Sequence, residues 1–190
     1  MPTQSERTEA TRAALVGAAR GLFGARGYAA VGTEEIVAAA GVTRGALYHH
    51  FRDKRDLFRA VVVAVEQDFL MRVGAQLSAD DGPYDRLSAA LEATLDGCTD
   101  PEVARITFLD APAVLGYEDW RAIVEEFSLG LLVFMLGEAM DAGELRRTPA
   151  EPLAHLVLGS LNEAGRVIAA GGDRETVGEA LRALLEGLRA

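Results

Sequence analysis

Four side chains in the first third of the sequence have the chemistry needed to bind the backbone and base edges of a nucleic acid. Arg44, Tyr48 and His49 are hydrogen-bonding groups at helical spacing, and Lys54, the only lysine of the chain, follows them. Such groups bind phosphate oxygens, and side chains on a helix reach base edges in the major groove. The spacing therefore indicates a short helix that can enter a DNA major groove.

Two short helices joined by a tight turn are predicted to position these groups. Gly41 stands where a left-handed residue ends a helix, and Thr43 is a suitable N-cap for the helix that carries Arg44. Asp53 then caps a longer helix that begins at Lys54. Two short helices with a glycine in the turn form a helix-turn-helix unit, whose second helix contacts base edges.

A family resemblance lies in residues 41–58, GVTRGALYHHFRDKRDLF. This run resembles the DNA-binding core of the tetracycline-repressor (TetR) family of bacterial transcriptional regulators, and the resemblance covers roughly residues 8–60. The rest of the chain is similar to the family only in its helical layout. The resemblance implies a two-domain helical homodimer that releases its operator when a small molecule binds the larger domain.

Residue by residue, the resemblance implies a set of DNA contacts. Lys54 falls where a lysine at a helix start holds a phosphate, helped by the positive end of that helix. Two positions depart from the family pattern: Gly32 replaces a frequent hydroxyl-bearing residue, with Thr33 one place later, and Ala46 replaces a frequent threonine. Tyr48 has a second interpretation, in which it packs against the first helix. The predicted DNA-binding residues are Thr33, Thr43, Arg44, Gly45, Ala46, Tyr48, His49 and Lys54.

Charge is distributed unevenly along the chain. Residues 1–60 contain nine Lys and Arg against six Asp and Glu, a net charge of +3, whereas residues 61–190 contain ten against twenty-three, a net charge of −13. A protein with a pI near 4.8 is a poor candidate for a non-specific DNA coat. A basic end on an acidic body instead indicates a protein that binds DNA with one face.

Helical patterns run through almost the whole sequence, and no alternating strand pattern is present. The sequence therefore predicts an all-α fold. A helix-turn-helix DNA-binding domain of three helices is expected over residues 1–53, and a larger ligand-binding and dimerisation domain over residues 54–190.

Prolines predict two helix boundaries in the larger domain. A helix that starts at Asp100 is expected to reach about Leu109 and to end before Pro112, because proline breaks a helix interior. Thr148 is expected to cap another helix, with Pro149 at its first position.

A mostly apolar ligand pocket with a few polar groups is predicted in the larger domain. Two alternatives stay open: aromatic residues at helical spacing belong to the core, and Arg105 with Asp110 forms a buried structural pair. The predicted lining residues are Arg105, Phe108, Asp110, Trp120, Phe127, Leu131, Met135 and Asn162.

The last two helices carry more apolar surface than a monomer needs. Pairing with the same helices of a second copy would form a four-helix bundle, as the resemblance also implies. The alternative is that other helices of the same chain cover both apolar faces. A two-fold dimer presents two recognition helices to successive major grooves, so the expected operator is an inverted repeat. The predicted interface residues are Leu153, Leu156, Val157, Leu161, Ala164, Ile168, Leu181, Leu184, Leu185 and Leu188.

Several classes of protein are disfavoured by what the sequence lacks. Cys98 is the only cysteine, which excludes an intramolecular disulfide and fits a reducing cytoplasm. No stretch of about twenty apolar residues is present, so we expect no contact with a membrane. Neither nucleophile-elbow, zinc-protease nor phosphate-loop sequences occur, so no enzyme and no cofactor are expected. His49 and His50 are adjacent and poorly placed to share a metal ion, so no metal site is predicted either.

These observations predict a cytoplasmic homodimeric transcriptional regulator, and the resemblance implies a repressor. It would bind a palindromic operator in double-stranded DNA and be released by a small-molecule effector. The alternative is a constitutive or architectural DNA-binding factor of the same fold that takes no ligand.

Overall fold

Helices account for most of residues 3–190, the part of the chain that this computed structural model describes. Within that range the only strand-like pairing is an isolated bridge between Leu145 and Arg189, so the predicted all-α fold is confirmed. A π-helical segment, Ala104–Asp110, joins α6 to α7. The helices are α1 Gln4–Arg26, α2 Thr33–Ala40, α3 Arg44–His50, α4 Lys54–Gly74, α5 Pro83–Gly97, α6 Pro101–Val103, α7 Ala111–Leu115, α8 Tyr117–Asp141, α9 Ala150–Ala169 and α10 Arg174–Glu186.

Local signals set the ends of the N-terminal helices. Thr3 and Glu6 form a capping box at the start of α1. Gly41 ends α2 with a φ of 66°, the left-handed conformation that glycine adopts without steric cost. The side chains of Thr43 and Asp53 cap α3 and α4 by accepting hydrogen bonds from backbone N–H groups. These caps place α3 at the predicted residues.

An aromatic cluster holds the small N-terminal helices onto the start of α4. The ring of Phe23 meets that of Phe58 edge-on, with 5.3 Å between centroids, and Tyr28 packs against both. Leu47 of α3 is fully buried in the same core. Burial of such side chains contributes roughly 1.5–3 kcal/mol each. Helix α1 packs against both α3 and α4, so it links the two.

The helix that starts after Asp100 does not end before Pro112, contrary to the prediction. It passes through the π-helical segment, in which the N–H of Ala111 bonds the carbonyl of Ile106, and continues to Leu115. Pro112 is tolerated because it lies in the first turn of α7, directly after the change in hydrogen-bond register. The residue at this position needs no backbone N–H for an α-helical hydrogen bond, so proline, which has none, fits there.

One predicted boundary near the C-terminus also differs from the structure. Helix α9 begins at Ala150 with Pro149 at its cap position, and no side chain caps it, so the prediction that Thr148 is the cap was wrong. The last helix ends at Glu186, before Leu188. The backbone after it pairs with the segment before α9, since the N–H of Arg146 donates to the carbonyl of Leu188.

The body of the protein is a bundle in which α4, α5, the π-helical segment, α8 and α9 surround one core. Fully buried residues of this core include Leu87, Ile106, Ile123 and Leu136. Because α4 belongs to this bundle and also packs against α1, a single helix joins the body to the DNA-binding end. None of the helices described is both long enough and apolar enough to cross a membrane.

Candidate nucleic-acid interface and effector cavity

Helix α3 presents polar side chains at one end of the molecule. Tyr48 is 45% exposed, and the Arg44 guanidinium lies 5.6 Å from the centre of its ring. Arg44 also forms an exposed ion pair with Glu34 of α2, 2.8 Å from nitrogen to oxygen. An exposed pair of this kind is worth at most about 1 kcal/mol, so Arg44 can exchange Glu34 for a phosphate or a base edge. Tyr48 does not pack into the core.

The start of α1 forms a groove beside α3 that the sequence did not indicate. Arg7, Thr8 and Thr11 line it opposite His49 and His50. Hydroxyl and guanidinium groups on a surface next to a recognition helix can bind the phosphates that flank a major groove. The sequence feature that could have indicated this groove is the placement of these polar residues on one face of α1.

The remaining predicted residues of the motif lie in different environments. The hydroxyl of Thr43 accepts a hydrogen bond from the N–H of Ala46 at 3.2 Å, so it caps α3 while remaining exposed. Gly45 is exposed beside it, whereas Ala46 and Thr33 are half-buried. Thr33 is the first residue of α2 rather than its cap, because Gly32 occupies the cap position.

Lys54 is turned inward rather than outward. Its Nζ donates a hydrogen bond to the backbone carbonyl of Tyr28 at 2.7 Å and lies 4.0 Å from the centre of the Tyr28 ring. Burial lowers the pKa of Lys54, and the nearby charge of Asp110 opposes that shift. An ammonium group has three donors, so two remain for a phosphate while the third holds the loop after α1.

Asp110 and Arg105 lie at the junction between the body and the DNA-binding end, and not at the ligand cavity where they were predicted. Asp110 accepts a hydrogen bond from the backbone N–H of Tyr28 at 2.7 Å. Arg105 and Asp110 both face Gly27, and Arg105 is exposed. The two do not form a buried ion pair. Their side of the π-helical segment faces α1, whereas Thr107 and Phe108 are buried.

A cavity of about 60 Å³ lies inside the body, between α4, α5, the π-helical segment, α8 and α9. Four of the eight predicted ligand residues line it, namely Phe108, Leu131, Met135 and Asn162. This volume accommodates a few water molecules and is far below the roughly 300–1,000 Å³ of typical small-molecule sites. An effector of any size would therefore have to widen it.

Two predicted aromatic residues of α8 do not reach the cavity. One face of α8 lines the cavity, and this face includes Val124, Ser128 and Leu131. Trp120 lies near the start of the helix, where it is buried against Tyr117 with 5.7 Å between ring centroids. Phe127 is half-buried beside this face and packs against the core. Trp120 and Phe127 therefore belong to the core, which is the alternative that the sequence left open for the aromatic residues.

Glu66 and Thr107 are polar groups of the cavity wall that the sequence analysis missed. Their side chains are only 3% and 1% exposed, and Oε1 of Glu66 and Oγ1 of Thr107 have no hydrogen-bond partner within residues 3–190. Burial raises the pKa of Glu66 to about 7. The Thr107 hydroxyl is near enough to the carboxyl to oppose the shift, but the two do not meet hydrogen-bond geometry. The sequence feature that could have indicated them is the glutamate directly after the apolar run VVVAV of α4.

Seven of the ten predicted interface residues line a shallow apolar groove along α9 and α10. Leu156 and Leu184 are 71% and 62% exposed, and Leu153, Val157 and Leu188 are half-buried. The other five predicted residues, Leu161, Ala164, Ile168, Leu181 and Leu185, are buried in the core of their own chain. Helix α9 is therefore apolar on two sides, one towards α8 and one towards the groove.

The fold and the exposed helix α3 define a helix-turn-helix DNA-binding protein. The family model described as "Bacterial regulatory proteins, tetR family" matches residues 15–61, and the one described as "Tetracyclin repressor-like, C-terminal domain" matches residues 84–188. The second match alone spans more than half of the chain. The chain belongs to the TetR family of transcriptional regulators, as its sequence resemblance predicted.

Individual relatives agree with this membership. HTH-type transcriptional regulator CymR of Pseudomonas putida is 31% identical, covering 84% of this chain and 79% of its own. HTH-type transcriptional repressor BepR of Brucella suis is 31% identical over 85% of this chain and 83% of its own. A solved TetR-family transcriptional regulator from Pectobacterium atrosepticum has a TM-score of 0.87 and 33% identity, covering 100% of this chain and 98% of its own. The protein is thus a DNA-binding regulator and not an enzyme.

Proposed function

We propose that this protein is a ligand-responsive transcriptional repressor that binds a palindromic operator as a homodimer and leaves it when a small molecule occupies the body. The observation that carries this proposal is the course of α4. Its first residue, Lys54, lies beside the DNA-binding helices, and Glu66 further along it faces the internal cavity. A widening of the cavity that shifts α4 would therefore shift α1, which packs against α4 and also against α3.

The exposed apolar groove of α9 and α10 supports the homodimer. Leu156 and Leu184 are large, exposed and adjacent to further leucines, an arrangement that a second copy would bury. A two-fold axis at this groove would combine four helices into a bundle. The two α3 helices would then read half-sites about 34–36 Å apart, one turn of DNA.

The π-helical segment is proposed as a second route from the cavity to the DNA-binding end. Thr107 and Phe108 line the cavity, and Asp110, three residues after Thr107, holds the N–H of Tyr28. A ligand that displaces the first two would disturb the third, because all three belong to one short helical segment. Segments of this type are frequent at functional sites.

Repression is proposed from the relatives, since BepR is named a transcriptional repressor. The alternative, a constitutive DNA-binding factor without a ligand, requires a body without an internal site. The unpartnered polar atoms of Glu66 and Thr107 favour the ligand-responsive regulator, because a closed structural core rarely leaves buried polar atoms unpaired.

Selection of bound duplexes from a random DNA library at near-physiological salt tests the DNA-binding part of the proposal. We expect an inverted repeat with half-site centres one helical turn apart. The recovered operator is then used to measure release by candidate effectors. Recovery of no enriched sequence by a folded, dimeric protein would contradict the proposed operator, and an operator affinity that no cavity-binding molecule changes would support the constitutive factor.

A further inference from the structure

The wall of the internal cavity contains one ionisable side chain. Glu66 is the only acid or base among the residues that line it, and the other polar groups there are uncharged. No arginine, lysine or histidine of residues 3–190 forms an ion pair with Glu66, although most other acids of α4 and α5 have such partners. The acid therefore faces an apolar space without a counter-charge.

A buried, unpaired carboxyl is costly for the protein to maintain. Desolvation of a carboxylate without a partner costs several kcal/mol, and even the protonated form loses hydrogen bonds to water. Thr107 adds a second buried oxygen without a partner in the same wall. A molecule that enters the cavity and offers donors to both atoms would recover these interactions, and a cation would recover the largest of them.

We propose that the effector is a compact, largely apolar amine whose ammonium group pairs with Glu66 and donates a hydrogen bond to Thr107. This inference rests on the proposed function, because it names the chemistry of the ligand that the regulator would sense. The apolar part would lie among the leucines, Phe108 and Met135 of the wall. An anionic effector is disfavoured, since it would bring a second negative charge next to Glu66 with no base to balance it.

The cavity must widen to admit such a molecule, and its outer wall allows this. An apolar cavity of about 150 Å³ accepts benzene, so the present volume is too small for an aromatic amine. Leu131 lines the cavity and is also partly open to solvent, and Met135 beside it is unbranched and adaptable. Movement of these two side chains of α8 opens a path from solvent to Glu66.

Three matched probes test the charge preference directly: benzylamine, benzyl alcohol and benzoate. They share one ring and carry a cation, a neutral donor and an anion. Calorimetric titration of the full-length, DNA-free protein at pH 8 measures their affinities. We expect benzylamine to bind at least about tenfold more tightly than benzyl alcohol, because a charge-assisted hydrogen bond is roughly twice as strong as a neutral one, and we expect benzoate not to bind measurably.

Two variants assign the binding to the cavity. Glu66→Gln keeps the shape of the side chain and removes its charge, so we expect benzylamine affinity to fall by about tenfold or more while benzyl alcohol changes by less than about threefold. Thr107→Val should weaken both probes by a few-fold. Glu126→Gln is the matched control, since Glu126 is exposed on α8 and does not line the cavity.

The outcomes separate this inference from the proposed function. Equal affinity for benzylamine and benzyl alcohol, no binding of benzylamine, or the same loss in Glu126→Gln as in Glu66→Gln would overturn the amine site. Binding that depends on Glu66 without any release of the operator would support the amine site and contradict the ligand-responsive repressor. Operator release by a molecule that binds equally well to Glu66→Gln would overturn the amine site and leave the repressor standing.

Discussion

The carboxylate of Asp110 accepts a hydrogen bond from the backbone N–H of Tyr28, with 2.7 Å between Oδ2 and N. The carbonyl of the same tyrosine is held by Nζ of Lys54, also at 2.7 Å. Side chains thus hold both backbone groups of Tyr28. Asp110 of the π-helical segment holds its N–H, and Lys54 at the start of α4 holds its carbonyl. This arrangement gives the body a direct hold on the DNA-binding end.

Asp110→Ala should loosen that hold. Removing the acceptor leaves a half-buried N–H without its partner, so we expect a loss of about 1–2 kcal/mol in the free energy of unfolding. Hydrogen exchange at the Tyr28 amide should become roughly tenfold faster. Glu126→Ala is the control, because Glu126 is an exposed acid on α8, away from the junction. Unchanged exchange at Tyr28 in Asp110→Ala would show that the contact does not hold the loop.

Tyr48→Ala should weaken operator binding selectively. Tyr48 is exposed on α3, and a lost base contact typically costs 1–3 kcal/mol, so we expect operator affinity to fall by about tenfold or more with little change on random DNA. Tyr117→Ala provides the comparison, since that tyrosine is exposed on α8. Gel-shift titrations on both DNAs measure the ratio. An equal loss on operator and random DNA would remove Tyr48 from base recognition.

Lys54→Met should weaken binding to all DNA alike. If the ammonium holds a phosphate, its removal lowers the slope of log affinity against log salt by about one, because one fewer counterion is released. The methionine keeps much of the packing against Tyr28 and Phe23. Titrations at several salt concentrations give the slope. A reduced affinity with an unchanged slope would assign Lys54 a positioning role through the carbonyl of Tyr28 alone.

Stability should fall as pH rises through the titration of Glu66. The unfolded carboxyl ionises near its ordinary pKa of 4.5, whereas burial raises the folded pKa to about 7. Between these values the unfolded chain releases a proton that the folded chain retains, so the contribution of Glu66 to the free energy of unfolding decreases by up to about 3 kcal/mol and levels off well above the folded pKa. The buried Cys98 thiol does not titrate in this range, because burial and the charge of Glu66 raise its pKa to about 12.

Glu66→Gln removes this pH dependence. Urea unfolding at pH 5 and pH 8 should show a variant that gains stability over the original protein at the higher pH, by up to about 3 kcal/mol. Glu126→Gln should show no such trend. A stability difference between Glu66→Gln and the original protein that is the same at both pH values would mean that Glu66 titrates normally.

Leu156→Glu combined with Leu184→Glu should separate the dimer. Both positions are exposed, so the fold of each chain should lose less than about 1 kcal/mol, whereas two charges at a four-helix interface should produce monomers. Sedimentation equilibrium measures the state, and operator affinity should fall with it. Met71→Glu is the control, at an exposed residue of α4. Dimers that persist in the double variant would place the interface elsewhere.

The helix-turn-helix was predictable because its signals are local. Gly41, Thr43 and Asp53 act within four residues of their positions, through backbone conformation or a capping hydrogen bond. The same holds for the apolar faces of α9 and α10. Composition and spacing carry such information directly.

The cavity and the junction were not predictable because they depend on distant pairs. Asp110 and Tyr28 are 82 residues apart in the sequence, and nothing near either one indicates the other. Asp110 was therefore assigned to the ligand pocket, and Glu66 was overlooked as one acid among many. The rotation of α8, which turns Trp120 and Phe127 away from the cavity, likewise follows from packing against other helices and not from the spacing of its aromatics.

The number of residues in the π-helical segment Ala104–Asp110 is constrained by the two contacts that it makes, one at the cavity and one at Tyr28. Each residue of a helix turns the chain by a fixed angle, about 100° in an α-helix and less in a wider π-helix, so removing one residue between Thr107 and Asp110 would rotate the second relative to the first. Thr107 could then still face the cavity, but Asp110 would point away from Tyr28. We therefore expect related sequences that keep both contacts to vary here by substitution and hardly ever by insertion or deletion, in contrast to the loop between α4 and α5.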